Sequence, residues 1–264
     1  MSDEVISILK RDRIHNLAIE GKRSDGRAFD EFRSITLKTN VIQKAEGSAY
    51  VEFGDTKVIV GIKLQKAEPF SDSPGLGIIM TGMELNPIAS PSFEAGPPRE
   101  NAIEMSRIVD RGIRESKAID LEKLCIKEGE LVWMIFIDIS ILNDAGNILD
   151  ASCLAAIAAL KTTVIPDDEE TGFKSIPMPI QDLPVGVTLV DVGGNIIVDP
   201  TLDEELVCQS RVSIIVNENG EISGMQKGGS EPFTFDEIYD MYELAVEKCN
   251  YLRETFIRDI ALLD

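Results

Sequence analysis

Apolar positions recur along this chain with two periods, and the switches between them lay out its elements. Residues 1–20 mix charged and apolar side chains at helical spacing, with Val5, Ile8, Leu9 and Leu17 on the apolar side and Gly21 as the stop. The turn-rich stretch Lys22–Arg27 follows. Lys57–Leu64 (KVIVGIKL) then predicts a strand, being rich in β-branched residues and preceded by the turn pair Gly54 and Asp55. Ile78–Leu85 predicts another. Asn86–Arg99 is a proline-containing connection of a length often tied to function.

Ala102–Ile119 predicts a helix, and the nearly unbroken apolar run Leu131–Leu142 predicts a central strand covered on both faces. Asp150–Val164 (DASCLAAIAALKTTV) is a helix of small residues able to pack closely. Pro166–Pro184 carries acidic residues, Gly and four Pro, and is expected to link two halves. Beyond it, strands are expected near Val187–Val192, Ile196–Val198, Val212–Val216 and Glu221–Gln226, with Asn219 and Gly220 as a type I′ hairpin signal. Thr234 and Glu237 form a capping box that opens the last helix. Strand groups each followed by helices predict an α+β chain in two similar halves, 1–165 and 187–264, joined by 166–186.

Composition narrows the chemistry. At 44% apolar the chain has material for a real core, and no apolar run approaches the ~18 residues that span a bilayer. No signal-peptide pattern opens it. Cys125, Cys153, Cys208 and Cys249 are far apart without a CxxC pair, which points to buried reduced thiols, a cytoplasmic location and no metal site. The single histidine, His15, stands in a charged helical stretch, so hydrolases that use histidine as base or ligand are disfavoured. A net charge of −20 argues against coating nucleic acid unaided, because phosphate binding rests on Lys and Arg releasing counterions. A local basic site inside an acidic envelope stays open.

Four constellations could carry chemistry. Pro74–Gly77 resembles the phosphate loop of small-molecule kinases, but Ile78 and Ile79 follow where ligating hydroxyls belong, and a plain turn is expected. Arg107, Arg111 and Arg114 share one sector of a helix whose other side carries Met105, Ile108, Val109, Gly112 and Ile113. Such guanidinium groups either meet phosphates or pair with Glu104, Asp110 and Glu115 as a solvated face. Asp199, Asp203, Glu204 and Glu205 could hold a metal or supply an acid; a solvated acidic loop is the default. Asp138, inside the apolar run, is expected to be buried and satisfied by backbone donors.

Several segments together resemble the ribonuclease PH family. They are Arg23–Arg27 (RSDGR), Phe32–Ile35 (FRSI), Ala45–Val58 (AEGSAYVEFGDTKV), Asp144–Gly146 before the Ala-rich helix, and Val198–Pro200. Gly96–Pro98, Glu100–Ile103 and Val109–Arg111 resemble in particular the non-catalytic ribonuclease PH-like subunits of the archaeal exosome core. The resemblance implies the ribosomal protein S5 domain 2-like fold and a hexameric ring, a trimer of heterodimers with a catalytic paralogue and RNA-binding cap proteins. It implies phosphate-dependent 3′-to-5′ degradation of single-stranded RNA, with no cofactor assigned here. Active members hold phosphate with a Gly-Ser/Thr-Arg turn at a helix N-terminus; here the turn reads Gly146, Asn147, Ile148. They also carry two aspartates six apart, where this chain has Glu205 and Arg211. No catalytic residue is therefore expected. What the resemblance retains is RNA contact through Arg107 and Arg111, while Arg99, Arg114, Lys63 and Lys66 are left unassigned. The alternatives are an active phosphorolytic nuclease using Glu205, a purely structural ring member and, more remotely, a small-molecule kinase.

Overall fold

The computed structural model describes residues 8–260. In chain order it runs α1 (Ile8–Ile19), β1 (Ile35–Thr39), β2 (Gly47–Phe53), β3 (Thr56–Ala67), β4 (Ile78–Leu85), α2 (Glu100–Glu115), β5 (Cys125–Lys127) and β6 (Leu131–Asn143). It continues with α3 (Ile148–Lys161), β7 (Val164–Ile165), β8 (Ile176–Pro177), β9 (Val185–Val192), β10 (Asn195–Val198), α4 (Leu202–Val207), β11 (Ser210–Val216), β12 (Ile222–Gly229) and α5 (Phe235–Leu252). The first sheet has the order β1-β2-β3-β6-β4 with β5 also on β6, and the second the order β10-β9-β11-β12. All pairs are antiparallel except β4 with β6. This is the expected α+β architecture.

Helix α3 is the centre of the molecule. Its residues from Asp150 to Leu160 are all buried, and it packs on β2 and β3 of one sheet and on β9 of the other. Small side chains make that approach possible. A Cβ on Gly47 of β2 would stand 2.1 Å from Thr163 Oγ1 and 2.5 Å from Ala159 O, so only glycine lets β2 cross the end of this helix. Helix α2 packs on β4 and β12, and α5 on β9 and β11.

Several expectations need correction, each for a physical reason. Val5 lies outside the described residues. Ile8 and Leu9 of α1 are 74% and 84% exposed, because the helix turns Ile14 and Ala18 inward instead, onto Val190, Val192, Ile197 and Val207. Helix α2 stops at Glu115, before the expected Ile119, in a Schellman motif. Ala118 N–H donates to Ile113 O (3.1 Å) and Lys117 N–H to Arg114 O (3.1 Å), with Lys117 at φ 54° where glycine usually signals the stop. Helix α3 opens at Ile148, two residues before expectation. Of the expected turn pair only Gly220 has positive φ (84°), and Asn219 does not, so the turn is not type I′. Asn217 closes it instead, its Oδ1 accepting from Asn219 and Glu221 N–H. The expected linker is tied back by a small ladder, its β8 pairing with β7 just before it.

Beyond its first residues, where Val132 and Trp133 are both buried, the apolar run of β6 is buried on one face only. Ile135, Ile137, Ile139 and Ile141 are buried, while Met134, Phe136 and Ser140 between them are partly exposed. Asp138 falls on the open face, exposed and without backbone donors among the described residues, contrary to the expectation for it.

Candidate nucleic-acid interface and the anion site beside it

Strand β6 ends at Asn143, and residues 144–147 turn the chain into α3. Gly146 is required in that turn: at φ 91°, a Cβ there would stand 2.3 Å from Leu202 N and 2.4 Å from Thr201 C. The start of α4 therefore lies directly on the N-terminus of α3, where Leu202 N–H donates to Ala145 O (2.9 Å). This brings Glu205 onto the turn. Its Oε1 accepts from Asn147 N–H at 3.0 Å, so the chain's own carboxylate occupies the helix N-terminus, the position suited to an anion. Burial pushes the Glu205 carboxyl up to about 7, against the opposing pull of Arg211.

The side chains of the turn are spent internally. Asn147 Nδ2 donates to Asp150 Oδ2 (2.9 Å) and Asp199 Oδ1 (2.8 Å), and its buried Oδ1 finds no donor among the described residues. Ile148 is part of the hydrophobic core. The Arg211 side chain lies over Gly228, its Nε 3.4 Å from where a Cβ would stand, and makes no hydrogen bond among the described residues.

The acidic stretch is not a solvated loop. Asp199 is 0% and Glu204 1% exposed, and three arginines of the N-terminal segment neutralise them. Arg23 meets Glu204 with both Nε (2.9 Å) and Nη2 (2.7 Å). Arg33 meets Asp199 with Nη2 (2.7 Å) and Nε (3.0 Å) and also donates to Ala145 O and Gly146 O. Arg27 adds a hydrogen bond to Asp199 Oδ2 (3.1 Å). Burial alone would raise the Asp199 carboxyl, but Arg33 and Asn147 hold it below the usual range. Glu204 also closes a capping box with Thr201, which starts α4. The pair Thr201 and Glu204 was the sequence signal for this missed helix. Asp203 pairs with Lys10 at 2.6 Å. Among the described residues, no group of three or more His, Cys, Asp or Glu is placed to hold a metal ion.

On α2 the expected sides separate. Val109, Gly112 and Ile113 are buried, and Gly112 lets Ile215 of β11 come within 2.6 Å of its Cβ position. Arg107, Arg111 and Arg114 are all exposed, yet among the described residues only the Arg114 side chain is engaged: it donates to Asp110 (3.0 Å) and Ile79 O (3.1 Å). Glu104, a candidate partner, instead accepts from Gln226 Nε2 of β12 (2.8 Å). Arg107 and Arg111 have no carboxylate partner among the described residues. The other basic candidates do: Arg99 pairs with Glu94, Lys63 with Glu46 (2.7 Å) and Lys66 with Asp168 (2.9 Å). Exposed cations without counterions are the ones free to exchange water for phosphate.

Comparison with known proteins gives this architecture its family. Residues 31–166 match the 3′ exoribonuclease family, domain 1, and residues 182–248 match domain 2 of the same family, the RNase PH domains. The chain belongs to the ribonuclease PH family. Relatives within it include the exosome complex component Rrp42 of Methanosarcina acetivorans, 54% identical, with 98% of this chain and 97% of the relative covered. The Rrp42 component of Thermococcus kodakarensis is 50% identical, with 97% of each chain covered. A solved structure of the Archaeoglobus fulgidus exosome with RNA bound to the active site contains a chain 46% identical at a TM-score of 0.90, covering 94% of this chain and 98% of that one.

One group inside this ribonuclease PH frame sets a pH dependence. Asp150 is fully buried on α3 and accepts from Thr188 N–H and Thr188 Oγ1, both at 2.7 Å; Thr188 Oγ1 is also 2.8 Å from Ser213 Oγ. Burial pushes its carboxyl up to about 7. An unfolded aspartate loses its proton near pH 3.9, so between about 4 and about 7 the folded state keeps a proton that the unfolded state releases. Stability therefore falls as pH rises through that window and levels off above it. Asn at 150 reproduces the protonated form, with an oxygen for the two N–H donors and an NH2 toward Thr188 Oγ1. Urea unfolding of Asp150→Asn should show little loss at pH 5, higher stability than the parent at pH 8, and a flatter profile between. A profile as steep as the parent's would remove Asp150 as its source.

Proposed function

We propose that this chain is a non-catalytic subunit of an archaeal-type exosome, alternating with a catalytic paralogue in a trimer of heterodimers. There it helps form the RNA-binding and active site of the paralogue for phosphorolytic 3′-to-5′ degradation. The observation that carries this reading is the Glu205 carboxylate on Asn147 N–H, at the helix terminus where active family members are expected to bind phosphate. A phosphate would have to displace that carboxylate, and the position after Asn147 offers it an isoleucine side chain packed in the core. Arg211 supplies positive charge where an acid or metal ligand would be needed. Its neighbours in this reading are single-stranded RNA and cap proteins, and the RNA is held by Arg107 and Arg111.

The test separates the two activities. Purified chain incubated with RNA and inorganic phosphate is expected to release no nucleoside diphosphate, whereas the same chain mixed with its catalytic paralogue yields a ring that does. Release by the isolated chain, abolished by Glu205→Gln, would overturn the reading.

A further inference from the structure

Helix α5 carries an outer face that the needs of the helix do not explain. Exposed helix faces are stabilised when acidic and basic residues alternate at a spacing of three or four. The exposed side of α5 instead runs Asp236, Asp240, Glu243 and Glu247, so that each carboxylate neighbours the next at that same spacing. Like charges so placed destabilise a helix. The helix dipole favours only the first of them, and the last turn holds no basic residue. Lys248 meets Glu247 at 3.1 Å but is shared with Asp30 at 2.9 Å. Asp236, Asp240 and Glu243 have no cationic partner among the described residues.

Two aromatic side chains border this acidic stripe. Phe235 and Tyr239, one turn apart, are 83% and 53% exposed. Phe235 does not serve the helix start. A hydrophobic staple joins the residue before the N-cap to the fourth helical residue, and Phe233 and Ile238 fill those places against the core. Tyr239 is held in position: its ring centroid lies 6.4 Å from that of Tyr242, whose Oη donates to Gly220 O at 2.8 Å in the β11–β12 turn. The charge of Glu243, with a hydrogen bond to it, raises the Tyr239 phenol above its usual range, which sets ring and carboxylate side by side.

An occupant of this face has to bring positive charge and accept aromatic rings. RNA is repelled by the carboxylates, and a second copy of this chain, at net charge −20, is disfavoured by its own repulsion. A purely apolar surface would strand the carboxylates out of water. We propose that the outer face of α5 docks an arginine- and lysine-bearing segment of a partner protein, its cations lying over Phe235 and Tyr239 and against Asp236, Asp240 and Glu243. Ring faces attract such cations, and the carboxylates beside them add charge-assisted hydrogen bonds. Arginine fits best, because its planar fork both stacks on a ring and grips a carboxylate. The proposal is independent of the RNA reading: α5 packs on β9 and β11, whereas Arg107 and Arg111 stand on α2, which packs on β4 and β12.

The experiment titrates full-length chain into a fluorescein-labelled oligo-arginine peptide at physiological ionic strength, with fluorescence anisotropy as the readout. Saturable binding is expected. Phe235→Ser with Tyr239→Ser removes no charge and should weaken it about tenfold, the scale of two exposed cation–π contacts. Asp240→Asn with Glu243→Gln should weaken it by at least as much and flatten its salt dependence. Glu122→Gln with Glu128→Gln removes the same charge from an exposed site in the first half of the chain and should leave the affinity nearly unchanged. Circular dichroism checks that every variant is folded. Equal losses from the two charge-removing pairs, or undiminished binding without the two aromatic rings, would reduce the effect to general attraction by an acidic chain and overturn the proposal. So would the absence of saturable binding to the wild type. A wild-type mass that doubles at high concentration in light scattering, and does not in the Phe235→Ser, Tyr239→Ser variant, would assign the face to a second copy and also overturn it.

Discussion

Arg33→Ala is expected to cost about 3–5 kcal/mol of folding stability, the range for removing one partner of a buried ion pair. The reason is the company Arg33 keeps. Its guanidinium holds both oxygens of the fully buried Asp199 and also satisfies the carbonyls of Ala145 and Gly146 in the turn before α3. Alanine leaves a carboxylate with no exposure to water and two turn carbonyls short of a donor. Urea denaturation followed by circular dichroism measures the loss, and a change under about 1 kcal/mol, the scale of an exposed pair, would show the site relaxes freely. Adding Asp199→Ala should recover part of the stability, because the stranded charge goes with it. The linked pH effect has a definite sign. Asp199 is held below the usual carboxylate range, so its stabilisation is complete above the unfolded value near pH 3.9 and is lost as pH falls through the folded one. This runs opposite to Asp150, and the two together place their combined maximum of stability near pH 4.

In the assembled ring, Arg107→Ala with Arg111→Ala is expected to weaken single-stranded RNA binding roughly 10- to 100-fold, as fits removal of two charged donors at an exposed site. The slope of log affinity against log salt should shrink by roughly 0.7 for each phosphate no longer neutralised. Fluorescence anisotropy over a salt series reads both. Arg114→Ala is the internal control: its guanidinium is committed to Asp110 and Ile79 O, so its removal should leave the slope nearly unchanged. Equal slopes for the double variant and wild type would assign Arg107 and Arg111 to structure alone. The ring must keep its mass throughout, since a ring short of one subunit would also bind RNA more weakly.

What the sequence made legible follows from where the information lies. Strand β4 could be bounded at Ile78 and Leu85 because its β-branched run and flanking turns are local signals, and α5 announced itself by the capping box at Thr234 and Glu237. The end of α2 was hidden because Lys117 takes the left-handed conformation that glycine usually marks. Strand β6 misled because its period mixes a core face with a face that stays partly exposed from Met134 to Ser140. At the site, Ile148, Glu205 and Arg211 were identifiable by residue type against the family pattern. The seat of Glu205 on Asn147 N–H was not, since it depends on α4 lying across the turn. Nor was the neutralisation of Asp199 and Glu204, whose arginines stand 166 to 181 positions away in the chain.

The pairing of Arg23 with Glu204, and of Arg27 and Arg33 with Asp199, has an evolutionary consequence. The RSDGR and FRSI segments, by which the family is first recognised, act as bolts between the N-terminal segment and the second half of the fold. In this chain their arginines hold the buried carboxylates of Asp199 and Glu204. A duplicated copy of such a gene can discard its phosphate site, acquire a new role beside a sibling, and still carry the same signature, because the frame fails without it. The motif therefore vouches for ancestry and leaves activity to be judged elsewhere.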